Sequence, residues 1–111
     1  MIQLQGVRIT IKGVQKMKEL QSIRQELDQL DSELVRLFER RMVLSREVAA
    51  YKMAHDLPVL DDSREKQVLA TRAAMLTDAH WEAAVRALYE RIMSLSRAEQ
   101  ESMLKEAQRD A

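Results

Sequence analysis

IRQELDQLDSELVRLFERRMVLSREVAAYK, residues 23–52, contains neither glycine nor proline, and nor does the wider run from Met17 to about His55. Apolar residues recur in it at Leu20, Ile23, Leu27, Leu30, Leu34, Leu37, Leu44, Val48 and Tyr51. Steps of three and four make one apolar stripe on a helix, the seam of a coiled coil. The spacing predicts a helix of nearly forty residues, roughly 60 Å long at about 1.5 Å per residue. A compact domain of this size has a radius of gyration near 13 Å, a value typical of about 100 residues, so such a helix overhangs its own partners. The seam continues along the overhang and needs a cover, for which a second copy in a two-fold dimer is the commonest candidate.

Outward from that helix, Asp56 to Val59 reads as a break, because Pro58 lacks a donor and disfavours helix at the residue before it. A second helix is expected from Ser63 to about Leu76, with Asp62 and Glu65 as a capping box at the positive end of the helix dipole. A turn near TDAH, residues 77–80, supplies Thr77 or Asp78 as a cap for a third helix reaching about Ala107. Its apolar side carries Val85, Leu88, Ile92, Leu95 and Met103, with Trp81 expected to pack at its start. The expected fold is all-α: a three-helix protomer with one very long first helix, in an intertwined homodimer. Residues 1–18 differ, since VRITIKG alternates like a short strand and both glycines lie there. They read as an N-terminal arm, either poorly ordered or packed on another surface, ahead of a helical domain at 19–108.

The 111 residues carry 18 basic and 18 acidic side chains and no cysteine. A balanced charge gives no reason to expect a nucleic-acid or anionic-membrane partner, so any anion site is local. Without cysteine there is no disulfide and no thiol chemistry. The N-terminus lacks the apolar core of a signal peptide, and no run approaches a membrane span, so a soluble cytoplasmic protein is expected. His55 and His80 are not spaced with each other or with carboxylates as metal ligands, and neither a metal nor a cofactor is expected. The seven methionines are scattered like gap-fillers.

Some charges stand where the pattern calls for apolar residues. Arg41 occupies a seam position after Leu37, and Lys52, eleven residues on, returns to nearly the same face about 16 Å further along. Two readings are open: a buried ion pair that sets register with a snorkelling lysine, or two cations turned into a polar cavity for a small anion. Arg24 lies roughly 25 Å from Arg41 along the axis and about 100° around it, out of reach of the same site within one helix. It can serve the equivalent site of a dimer partner. On the third helix Ser96 and Gln100 extend the apolar stripe, either as a solvated end or as further cavity groups. Arg64 and Glu65 read as cap and surface charge, or as part of the same cavity.

These residues, in this order, resemble the all-helical AroQ-type chorismate mutases. The resemblance rests on residues 23–52, on PVLDDSREKQVL at 58–69 and on LYERIMSLSRAEQ at 88–100, and covers about residues 20 to 104. It implies a cofactor-free rearrangement of chorismate to prephenate in two equivalent sites of a dimer, in phenylalanine and tyrosine biosynthesis. In such a site Arg24 crosses from the partner, while Arg41, Lys52, Asp61, Arg64, Glu65, Ser96 and Gln100 come from the other protomer. Arg24 and Arg41 are implied to hold the two substrate carboxylates, and Lys52 and Gln100 to donate to the ether oxygen. Glu65 is implied to accept from the ring hydroxyl, Asp61 to balance the cations, Ser96 to assist the ring carboxylate and Arg64 to complete the cationic wall. Two departures stand out: the arm has no counterpart in the family's minimal pattern, and Leu60 and Asp62 alter the loop. With no dehydratase or dehydrogenase region in view, a stand-alone mutase is expected. Two other readings share the scaffold, an isochorismate-pyruvate lyase and a non-enzymatic dimerisation module whose inward charges set register.

Overall fold

The computed structural model describes residues 19–110. They form α1, Leu20–Ala54, α2, Asp62–Ala74, a 3-10 turn, Ala79–Trp81, and α3, Glu82–Asp110. No strand occurs among the described residues; the arm at 1–18, with its strand-like alternation, lies outside them. The chain divides into two units, Met1–Leu37 and Phe38–Ala111. The described part of the first is the beginning of α1, where Leu20, Ile23, Leu27, Leu30 and Leu34 are 40–60% exposed. A row of large apolar side chains left open to water marks a contact surface.

In the second unit, α1 stops because the chain folds back on its own last turn. Asp56 takes the left-handed conformation at φ 54°, and Leu57 N–H donates to the carbonyl of Lys52 at 2.8 Å. This six-to-one bond is that of a Schellman cap, and it ties the loop to the backbone of Lys52. Asp61, with non-helical backbone angles (φ −122°, ψ 89°), then caps α2: its carboxylate accepts from Arg64 N–H at 3.0 Å and its carbonyl from Glu65 N–H at 3.0 Å. The cap therefore falls one residue before the expected Asp62, which is already helical and pairs with Lys66 a turn later. Two adjacent acids offer the same cap chemistry, and only the backbone angles choose between them.

The second helix ends at Ala74 rather than Leu76, and Asp78 caps the 3-10 turn that leads into α3, its carboxylate accepting from His80 N–H at 2.9 Å. Trp81 lies in that turn and is 55% exposed, against the expectation that it packs at the start of the third helix. α2 packs against α3. Arg46 of α1 donates to the Glu99 carboxylate of α3. Each helix of this unit supplies one buried apolar side chain, Ala49, Val68 and Met93. As many buried side chains are polar: Ser45, Ser96 and Gln100. A centre that is half polar has to be satisfied internally or built for something else.

Candidate active site

The polar residues line a cleft of about 330 Å³ between the three helices of the second unit. Contacts sort its lining into two groups: Lys52 is tied to Val59 and Gln100, whereas Arg41 and Arg72 both approach the ring of Tyr89. Eleven residues, about 16 Å of helix, separate Arg41 from Lys52.

At the Lys52 end the hydrogen bonds run in one direction. Lys52 Nζ donates to the Val59 carbonyl at 2.5 Å and to Gln100 Oε1 at 3.1 Å. An ammonium only donates, so the amide oxygen must face it and the amide nitrogen must face away. Gln100 Nε2 accordingly donates to Ser96 Oγ at 3.1 Å. Ser45 Oγ donates to the Arg41 carbonyl at 3.2 Å, which commits its one hydrogen. The 2.7 Å contact between Ser45 and Ser96 is then a bond from Ser96 to Ser45. The chain Lys52, Gln100, Ser96, Ser45 thus leaves one ammonium hydrogen and one amide hydrogen unused, at the cleft wall. This disposes of the solvated-end reading of Ser96 and Gln100, both of which are buried.

Five cations line the cleft, Arg41, Lys52, Arg64, Arg72 and Arg97, against two carboxylates, Asp61 and Glu65. Both carboxylates are engaged. Asp61 caps α2, and the two oxygens of Glu65 each accept from Arg97 Nη1 at 2.5 Å. Arg64 donates to Gln67 at 2.7 Å and stays exposed. The half-buried Arg41 guanidinium has no hydrogen-bond partner among the described residues; its contact is the ring of Tyr89, 5.9 Å from the centroid. A net excess of positive charge in a protein of zero formal charge is the footprint of an anion site.

Seven of the eight residues singled out in the sequence meet in this cleft: Arg41, Lys52, Asp61, Arg64, Glu65, Ser96 and Gln100. Arg24 belongs to the first unit and is exposed. Ser45, Arg72, Arg97 and Tyr89 were not singled out. Ser45 and Arg97 are next to seam residues in sequence and look like surface, and nothing short of the helix-to-helix arrangement marks them. Among the described residues no cluster of His, Asp and Glu is placed to hold a metal ion, and no helix is long and apolar enough to cross a membrane.

Fold and cleft define a class of protein: a three-helix scaffold with a small cationic pocket formed within the helical layer. Residues 23–101 match the family model of chorismate mutase type II, and the chain belongs to that family. Over 56 residues, half of this chain, it is 39% identical to the T-protein of Haemophilus influenzae, and the match spans 15% of that relative's length.

Proposed function

We propose that this protein is a chorismate mutase, converting chorismate to prephenate by an intramolecular Claisen rearrangement in the cleft between Arg41 and Lys52. Family membership supports the activity. The observation that carries the site is the pair of unused donors on Lys52 and Gln100 at a cleft also lined by the Arg41 guanidinium, which has no hydrogen-bond partner among the described residues.

The reaction breaks a C–O bond and forms a C–C bond in one molecule, so no nucleophile or proton carrier is required. Catalysis rests on positioning and on charge placed where the transition state develops it. Arg41 binds a substrate carboxylate through its planar fork of donors and favours the compact conformer. Lys52 and Gln100 donate to the ether oxygen, which gains negative charge as its bond to carbon lengthens, so their bonds strengthen along the reaction. The Val59 carbonyl and the Gln100 amide already fix both groups, and no reorganisation is needed at the moment of reaction.

Glu65, oriented by Arg97, accepts from the ring hydroxyl, while Arg64 and Asp61 set the field at the mouth. Ser96 assists the ring carboxylate by turning its hydrogen away from Ser45. Arg24 is supplied by a second copy of the chain, whose α1 covers the apolar row from Leu20 to Leu34; the exposure of that row supports an intertwined dimer. The product feeds aromatic amino acid synthesis.

The test is loss of chorismate absorbance on adding the purified protein, with prephenate identified by acid conversion to phenylpyruvate. Conversion without added metal or nucleotide is expected, falling about 100- to 1000-fold in Lys52→Ala, as for loss of one oxyanion donor. Near-normal turnover in that variant removes Lys52 from the mechanism. Salicylate formed from isochorismate, with chorismate left intact, replaces the mutase by a lyase.

A further inference from the structure

We propose that Arg72 is a second anion-anchoring guanidinium of this cleft, and that Tyr89 is the positioning residue that holds it together with Arg41. The inference deepens the proposed function and rests on it for the identity of the substrate.

Side chains from three helices meet here: Arg41 of α1 and Arg72 of α2 line the cleft, and Tyr89 of α3, outside the lining itself, stands against both. Both guanidinium carbons lie 5.9 Å from the centre of the Tyr89 ring, within the range in which an aromatic face attracts a cation. Both guanidiniums also line the one cleft, where like charges are disfavoured and an anion that joins them is favoured. Among the described residues, the carboxylates that line the cleft are Asp61 and Glu65. Asp61 is taken up by the α2 cap and Glu65 by Arg97, and among the described residues no carboxylate pairs with Arg41 or Arg72. Arg72 uses one Nη1 hydrogen on the Thr71 hydroxyl at 2.9 Å, and its remaining donors are open. Both arginines are half-buried, which raises the cost of leaving them unpaired.

The ligand group that fits is a carboxylate, held by donors from two directions with the ring fixing their spacing. Because a carboxylate is present in substrate and transition state alike, Arg72 contributes mainly to binding.

Steady-state kinetics on chorismate test the proposal with Arg72→Met, Tyr89→Leu and Tyr89→Phe, each checked for helicity. Arg72→Met is expected to raise KM about 10- to 100-fold, the range for losing a hydrogen bond to a charged group, with kcat changed much less. Tyr89→Leu should raise KM several-fold, and Tyr89→Phe, which keeps the ring, should recover most of that loss. A KM within twofold of the parent in Arg72→Met overturns the anchoring role. Equal damage from Phe and Leu at 89 overturns the ring's role. If the unaltered protein leaves chorismate intact, the mutase reading fails while this one is still decided, by low-millimolar inorganic sulfate as the probe. Sulfate should raise the melting temperature of the unaltered protein more than that of Arg72→Met, and equal shifts refute the anion site.

Discussion

At the Lys52 end of the cleft, ammonium, amide and two hydroxyls satisfy one another in a directed chain; at the Arg41 end, two guanidiniums approach one aromatic ring with no carboxylate beside them. Both ends are polar and half-buried or buried, yet their stability economics differ. A satisfied network holds its donors in place without a ligand, which suits groups that act in a transition state. An unsatisfied cationic pair is completed by the ligand, which suits groups that recognise it. On the proposed function, chemistry and recognition are thus separated along about 16 Å of α1.

The sharpest way to break that separation is Gln100→Glu. Only the protonated acid can donate to an ether oxygen, and a glutamate titrates ordinarily near about 4.3, with the Lys52 ammonium beside it favouring the ionised form. Activity should therefore be retained below that range and lost as pH rises through it, by about 100-fold or more at neutral pH. A kcat/KM profile from about pH 3 to 8, which spans the lowered titration, checks this against a parent whose amide does not titrate. A flat profile in the variant removes Gln100 as a donor and, with it, the chemical role of the network end.

Next in size is Arg41→Leu. Loss of a charge-assisted contact to a carboxylate predicts a fall of roughly 10- to 100-fold in kcat/KM. Folding should respond in the opposite sense, because leucine suits the seam and relieves repulsion with Arg72, so the melting temperature should hold or rise. Steady-state rates and thermal melts on the same preparation separate the two. Stability gained with activity intact would make the charge a register device, as in a non-enzymatic dimerisation module.

Arg41 and Lys52 were legible from sequence because α-helical period alone brings positions eleven apart to one face, and the long glycine-free run made the period trustworthy. The same logic placed Ser96 above Gln100. It does not reach Ser45, Arg72, Arg97 or Tyr89, whose importance comes from contacts between helices 17 to 51 residues apart in the chain, such as Arg97 with Glu65 and Ser45 with Ser96. Nor does it choose between Asp61 and Asp62 as a cap, since a one-residue shift leaves every sequence signal unchanged.

Ser45→Ala probes the link between the ends, since Ser45 receives the chain from Ser96 and delivers it to the carbonyl of Arg41. Removing the hydroxyl breaks both bonds and leaves the buried Ser96 hydroxyl without its acceptor, which should cost about 1–3 kcal/mol, or several degrees and more of melting temperature in a domain of this size. Rates should fall only a few-fold, because neither Lys52 nor Gln100 bonds to Ser45 directly. A loss comparable to that of Gln100→Glu would mean the two ends act as one unit.

The smallest effect is expected outside the cleft, at the cap that ties the loop to Lys52. Asp56 holds φ at 54°, where a side chain crowds the following carbonyl at a cost of about 1–2 kcal/mol, reduced for aspartate by its tolerance of this region. Glycine removes that cost but adds roughly 0.5–1 kcal/mol of chain entropy to be lost on folding. Asp56→Gly should therefore stabilise by about 0.5 kcal/mol, two to four degrees, by thermal melting. Its rate should match the parent's, because the bond from Leu57 N–H to the Lys52 carbonyl survives and Asp56 is no part of the cleft. A drop in kcat without loss of stability would show that the strained turn sets the angle at which Lys52 enters the site, and would move the start of the network from the side chain to the loop behind it.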